Sequence, residues 1–307
     1  MAMTTTPTIT AQRAVRTIIA MPWHGFSAVS GAWMLHPSDA HLLDPVLGID
    51  AFMLRDSPFA PHPHAGFSAV TLLFPEAEVG FHNFDSLGTR CQIAPGDLHW
   101  TQAGRGMMHD EPPIEIGPKV TGLQVFVNLA MRHKESPPVA LHTDVGDMPL
   151  ITLPGVQVRV VSGAHDGHIA PITSDARWLT QIAMLDATLD PGAAWQTTIP
   201  AGQRAFFVLI QGTLTVANET RTSSEEARQA FVFEDTGDAV TLQNTGNDAA
   251  RGVLFYGMPL GEPIVSHGPF NGNTGADIAR YIERYQRGEM GILEPDGRLV
   301  RSAAQGA

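Results

Sequence analysis

Apolar positions along this chain fall mostly into short runs, and rarely recur at helical spacing. Ser68 to Phe74 is a strand-like run, mostly apolar, while Gly122 to Leu129 alternates, with Leu123, Val125, Val127 and Leu129 on one face. Val156 to Val161 and Ala205 to Ile210 are further runs of strand length. Turn signals separate them: Pro95-Gly96-Asp97, Asp190-Pro191-Gly192, Gln211-Gly212, Thr236-Gly237-Asp238 and Asn244-Thr245-Gly246-Asn247. Many short strands with Gly and Pro between them predict an all-β sandwich or barrel. One clear helix is predicted near the C-terminus, from about Ala276 to Arg287. It has a capping start at Asn273-Thr274, Ile278, Tyr281, Ile282 and Tyr285 at helical spacing, and Gly288 as its stop. It should pack on a barrel through Ile278 and Ile282.

The strand–turn pattern occurs twice. A strand-rich segment ending near Val79 and the turn at Pro95-Gly96-Asp97 are echoed by Ala205 to Val216 and Thr236-Gly237-Asp238. With 307 residues, about two domains are expected, and one module used twice accounts for them. The Pro-bearing stretch 132–154 is the natural linker. The expected division is therefore 1–131, linker 132–154, and 155–307 with the terminal helix.

Charge narrows the function. Lys+Arg 19 against Asp+Glu 31 gives −12, the wrong sign for binding nucleic acid by phosphate neutralisation. One cysteine, Cys91, excludes an intrachain disulfide framework. It reads as a small buried apolar residue. Met1 to Thr10 is Thr-rich without an apolar core of signal-peptide length, and no stretch approaches the ~20 apolar residues of a spanning helix. The expectation is a cytoplasmic protein with no membrane contact.

Thirteen histidines are unevenly spread. His62 and His64, two apart on an extended segment, share a face, roughly 6–7 Å apart at ~3.3 Å per residue. His109 and Glu111 repeat that spacing. If the two segments are neighbouring strands, the four side chains close on one point. Three neutral imidazoles and a carboxylate suit a mononuclear non-haem Fe(II) site, with Mn, Ni, Cu and Zn as competitors. A His-x-His pair alone is more often incidental; the second pair, after a Pro-Gly-Asp turn in the same half, argues for a ligand set. His82 and His99 flank the motif as outer-shell donors or plain barrel histidines. Trp100 reads as core. His133, His142, His165 and His168 read as solvated. Gly104-Arg105-Gly106 reads as a backbone turn before His109.

These motifs resemble the pirin family of the cupin superfamily. The resemblance is carried by Leu43-Asp44-Pro45, Pro61 to Phe67, Asp85 to Gly88 and the long block Pro95 to Glu111. Gly122 to Leu129, Pro259 to Ile264, Gly268-Pro269-Phe270 and Gln286-Arg287-Gly288 extend it. It implies a bicupin, two antiparallel β-barrels with a C-terminal helix, and one iron site on His62, His64, His109 and Glu111. The sequence departs from the family at Ala65 and Ser68, where Arg and Glu are common, and at His99, where Gln is common. Phe74 to Glu78 also lacks the family's Gly turn. These changes are expected near the mouth of the site. In the second half Ile199, Ala201, Ala250 and Gly252 align with the ligand positions, so that barrel is expected to be metal-free.

The resemblance implies two functions. One is a quercetin 2,3-dioxygenase-like enzyme that cleaves a flavonol with O2, Glu111 serving as catalytic base. The other is a metal- or redox-responsive regulator acting through a protein partner.

Overall fold

The structure is a computed structural model and describes residues 11–35 and 37–303. Met1 to Thr10, read above as lacking a signal-peptide core, lie outside the described residues. Strands dominate, as the short apolar runs predict. The observed strands Phe67–Leu73, Val120–Asn128, Val156–Ser162 and Arg204–Val216 cover the four runs, with only Phe74 and Leu129 falling one residue beyond a strand end. Among the described residues no helix is long and apolar enough to cross a membrane.

The chain forms two compact units that interleave in sequence. One comprises Trp23–Met148, Ala170–Gln181 and the segment from Leu260 onward. The other comprises the segment up to Pro22, Pro149–Ile169 and Ile182–Pro259. This differs from the division at 132–154. That stretch is no loose linker: Val139–Thr143 pairs with Leu98–Gln102 in the first unit, and Leu150–Leu153 pairs with Val156–Ser162 in the second. The two ends are exchanged as well. Val15–Met21 pairs with Arg228–Phe233 of the second unit. The terminal helix Gly275–Gln286 belongs to the first, where Ile278 and Tyr281 pack with Ala65, Phe270 and Met290. Unpaired strand edges attract any complementary edge, whatever its distance in sequence, and local periodicity carries no record of which edge that is.

The first unit has two main antiparallel sheets, beside two short two-stranded ribbons, Val265–His267 with Phe270–Gly272 and Ile292–Leu293 with Leu299–Arg301. The larger runs Val139–Thr143, Leu98–Gln102, Phe67–Leu73, Val120–Asn128, Val46–Leu54, Gly31–Leu35 and Trp23–Gly25. The smaller runs His62–His64, Met107–Asp110, Phe81–Asp85 and Arg90–Ile93. Trp100 is fully buried edge-on to Trp178, as expected of a core residue. Helix Gly275–Gln286 starts at Thr274, whose side chain accepts from the Asp277 N–H in a capping box. Ile282 is only partly buried beside that cluster.

In the second unit the long strand Arg204–Val216 ties the layers together. It pairs with Arg228–Phe233 and Ala250–Gly257 along its first half, and with Glu219–Ser223 and Ala239–Asn244 along its second. A register irregularity between Leu209 and Gln211 marks the change, the usual device by which a strand passes between sheets. His165, expected to be solvated, is buried here at 5% exposure, with Thr197 Oγ1 at 2.9 Å and Tyr256 Oη at 3.1 Å.

Candidate metal centre

The smaller sheet creates the centre. His62–His64 and Met107–Asp110 are antiparallel neighbours, with His62 opposite His109 and His64 opposite Met107. The adjacency that the spacing argument required is therefore present. Gly66 carries the chain out of the first strand with φ +82°, a conformation open to glycine at little steric cost. Gly106, at φ +129°, leads into the second.

His62, His64 and His109 bring one ring nitrogen each within 4.8 Å of one another. Nε2 of His62 lies 3.2 Å from Nε2 of His109. Glu111 stands beside this cluster, Oε1 being 3.7 Å from His109 Nδ1. Its Oε2 accepts a hydrogen bond from the Thr71 hydroxyl at 2.5 Å. His64 and His109 are buried, and burial holds both pKa values well below the usual imidazole range, each further lowered by its histidine neighbours. They are neutral and present lone pairs. Burial pushes the Glu111 carboxyl up, while His99 and Thr71 oppose that shift.

Donor and acceptor accounting shows that the centre suits a cation. His62 Nδ1 lies 2.9 Å from the Ala60 carbonyl and so carries the ring proton. Its Nε2 is then a lone pair. If neutral His109 carries its proton on Nε2, its Nδ1 lone pair faces the Glu111 carboxylate. If the proton is on Nδ1, two Nε2 lone pairs face each other at 3.2 Å. With Glu111 ionised, either arrangement sets two acceptors against each other, and a cation removes the conflict. His64 Nδ1, His109 Nδ1 and Glu111 Oε1 are buried without hydrogen-bond partners. Three imidazoles and a carboxylate fit a divalent first-row metal.

A cavity of about 180 Å³ opens onto the histidines. On the same measure a water needs about 10–15 Å³, so the space admits a small organic molecule. Its wall is aromatic: Phe26, Phe52, Phe59, Phe81 and Phe126. Asp50 and Gln124 supply polar points. Both come from the larger sheet, where Thr71, Gln124 and Asp50 are successive register partners. Thr71 Oγ1 lies 3.1 Å from Gln124 Oε1, and Gln124 Nε2 is buried without a partner. Burial pushes the Asp50 carboxyl up to about 7.

Sequence reasoning missed Asp50, Gln124, Thr71 and the aromatic wall. In Val120–Asn128 the alternation marked Leu123, Val125 and Val127 as the inner face. All three are fully buried, yet Gln124 and Phe126 on the opposite face line the cavity. A polar residue among apolar ones on a two-sided strand was the available signal. Ala65 and Ser68, expected near the mouth, are fully buried and line no part of the cavity; Ala65 packs under the terminal helix. His82 stacks on Phe84 and does not line it either. His99 is buried and lines no part of the cavity; burial lowers its pKa, and the Glu111 carboxylate opposes that shift. Cys91 is partly exposed rather than buried, with Sγ 4.0 Å from His99 Nδ1.

Residues 23–127 match the family described as Pirin, and residues 184–291 the Pirin C-terminal cupin domain. Pirin-like protein 2 of Arabidopsis thaliana is 34% identical over 83% of this chain and 78% of its own length. Pirin of Homo sapiens is 34% identical over 81% of this chain and 84% of its own. Among solved structures, quercetin 2,3-dioxygenase from Acinetobacter baumannii superposes with a TM-score of 0.80 at 25% identity, covering 92% of this chain and 99% of that one. A bacterial pirin from Escherichia coli, solved in complex with nickel(II), shares the fold with a TM-score of 0.58 at 16% identity, covering 79% and 99%.

Proposed function

This chain belongs to the pirin family, with its two-cupin all-β fold, and from that premise we propose that it is a metal-dependent dioxygenase cleaving flavonols such as quercetin. His62, His64, His109 and Glu111 would hold one divalent ion, iron(II) being the metal this reading assigns. The observation that carries it is the aromatic cavity opening directly onto the histidine cluster. A flat polyphenol needs apolar walls and a few polar points, and this cavity has both. Similarity to the Acinetobacter baumannii quercetin 2,3-dioxygenase supports the same reading.

The bound metal would supply a Lewis acid and a redox centre at which O2 and a chelating hydroxyl meet. The chain's own residues do the rest. Glu111, raised in pKa by burial, is a stronger base than a free carboxylate and takes the proton of the flavonol 3-hydroxyl on Oε1. Thr71 holds the other carboxylate oxygen and so aims Oε1. The phenylalanines clamp the ring faces and exclude water. Asp50 and the free Nε2 of Gln124 lie where ring hydroxyls need partners. The flavonol and O2 together yield the ring-opened ester and carbon monoxide.

The test is anaerobic loading with iron(II), followed by a flavonoid panel read by O2 uptake and loss of flavonol absorbance. Turnover above a free-iron control, abolished in Glu111→Gln, is the expected result. A rate equal to free iron, or full activity in Glu111→Gln, overturns the enzyme reading. The protein then reads as a metal-responsive regulator acting on a protein partner.

A further inference from the structure

A second group of ligand-type side chains lies in the same unit. Cys91, His99 and His142 can each bring one donor atom within 4.8 Å of the others. Cys91 is on Arg90–Ile93, the edge strand of the smaller sheet, and His142 on Val139–Thr143, the edge strand of the larger. His99 is the register partner of His142 on the next strand in. Cys91 Sγ stands 4.0 Å from His99 Nδ1, and the His99 and His142 rings lie 5.7 Å apart.

We propose that Cys91, His99 and His142 form a second metal site, for a zinc-class divalent cation, joining the free edges of the two sheets.

His99 is 1% exposed, and its Nδ1 faces the Cys91 sulfur. A buried ring nitrogen turned toward a thiol and a second imidazole is placed to share an ion with them. Burial holds His99 neutral, with a pKa of about 4, so the ring offers a lone pair. Thiolate plus imidazoles is the donor set that zinc prefers, and cobalt(II) can stand in for it. Zn–S of about 2.3 Å and Zn–N of about 2.0–2.1 Å imply ligand separations of roughly 3.3–3.6 Å in a tetrahedron. The present sulfur–nitrogen distance is a few tenths longer, within reach of a side-chain adjustment.

The surroundings fit the same role. Asp144 Oδ1 lies 3.1 Å from His142 Nε2, the carboxylate–imidazole contact that orients a ligating ring. Asp97 Oδ2 is 3.5 Å from that nitrogen. Its oxygens already accept from Ala94 and Val145 N–H groups, so it is committed to its turn. His142 is half-exposed and gives an ion a path from solvent. Burial, and after it the carboxylates of Glu111, Asp85 and Asp97, push the Cys91 thiol up, so an ion would bind here with release of the thiol proton.

His99 also links this site to the first. His142, His99, Thr71, Gln124 and Asp50 are successive register partners across the larger sheet. Register partners project to one face, so a single polar row runs from the second site to the cavity.

Cobalt(II) titration of the full chain tests the proposal cleanly, because Cys91 is the only cysteine. A thiolate-to-cobalt charge-transfer band can come from no other residue. The expected result is two cobalt ions per chain and a saturable charge-transfer band. The band should vanish in Cys91→Ser while one ion stays bound. His142→Ala should weaken the band's titration at least about tenfold. It should persist in His62→Ala/His64→Ala, which removes the first site. Zinc should raise the melting temperature of wild type more than that of Cys91→Ser. No band in folded wild type at saturating cobalt, or a band unchanged in His142→Ala and His99→Ala, overturns the site.

Discussion

His62 and His109 are register partners on neighbouring strands, and their Nε2 atoms face each other at 3.2 Å. Neutral His109 has a single N–H, while His62 Nε2 and Glu111 Oε1 face its two ring nitrogens. Occupancy by a cation should therefore stabilise the fold. At free metal about 100-fold above Kd, linkage gives about 2.7 kcal/mol. Chelation should lower the melting temperature of the iron-loaded protein. The same treatment should leave His62→Ala/His64→Ala far less affected, apart from any contribution of the second site. Equal sensitivity of both proteins, with Cys91→Ser in each background, would remove these histidines from the ligand set.

Asp50 predicts a pH dependence. Burial raises its folded pKa to about 7 from the ordinary 3.8. Between those values the folded chain keeps a proton that the unfolded chain has lost. Stability from this group is complete below the unfolded pKa and is lost as pH rises through 7. In metal-free protein, Asp50→Asn should abolish that falling slope. It should be more stable than wild type at pH 8 and similar near pH 4, by urea denaturation at each pH. A parallel pair of pH profiles would contradict the assignment.

Gly66→Ala should be severely destabilising. A Cβ at Gly66 would lie 1.8 Å from the Asn271 carbonyl oxygen, and φ of +82° adds strain. Lys134 Nζ donates here to the Gly66 and Asn271 carbonyls and to Asn128 Oδ1. The loss should exceed the ~1 kcal/mol of an average substitution several-fold. Metal affinity should fall with it, because His64 is two residues away. Denaturant midpoint and metal titration report the two effects.

In the second unit, Arg251 and Asp186 form a two-pronged ion pair, at 2.9 and 2.7 Å, with both side chains about nine-tenths buried. Asp186→Ala removes both of these contacts from a buried guanidinium and should cost about 3–5 kcal/mol. The metal content of the first unit should not change. A loss below about 1 kcal/mol in urea denaturation would show that the pair is effectively solvated.

How far the sequence disclosed this protein depended on the distance over which its signals act. The convergence of His62, His64, His109 and Glu111 was readable because a period of two on an extended segment fixes a face. Pairing the segments then needed only the intervening turn signals. Thr71, Gln124 and Asp50 were not readable: three strands separated in sequence place them in one row, and register is set by tertiary pairing. Cys91 and His142 looked inert for the same reason, since each lies on the edge of a different sheet. The terminal helix was visible from its capping residues and its spacing. The surface under it was not, because an amphipathic face records that something covers it and not what.

The exchange of chain ends constrains the order of assembly on the ribosome. The edge formed by Val15–Met21 leaves the exit tunnel some two hundred residues before its partner Arg228–Phe233. The unit holding His62, His64 and His109 is likewise incomplete until Phe270 and the Gly275–Gln286 helix emerge. Neither half can be cut out as an autonomous fragment at the Pro-rich stretch. Nascent chains must keep an apolar strand and an unfinished histidine pocket apart from other partners until those segments emerge, and the centre reaches its full packing only after the helix has left the tunnel.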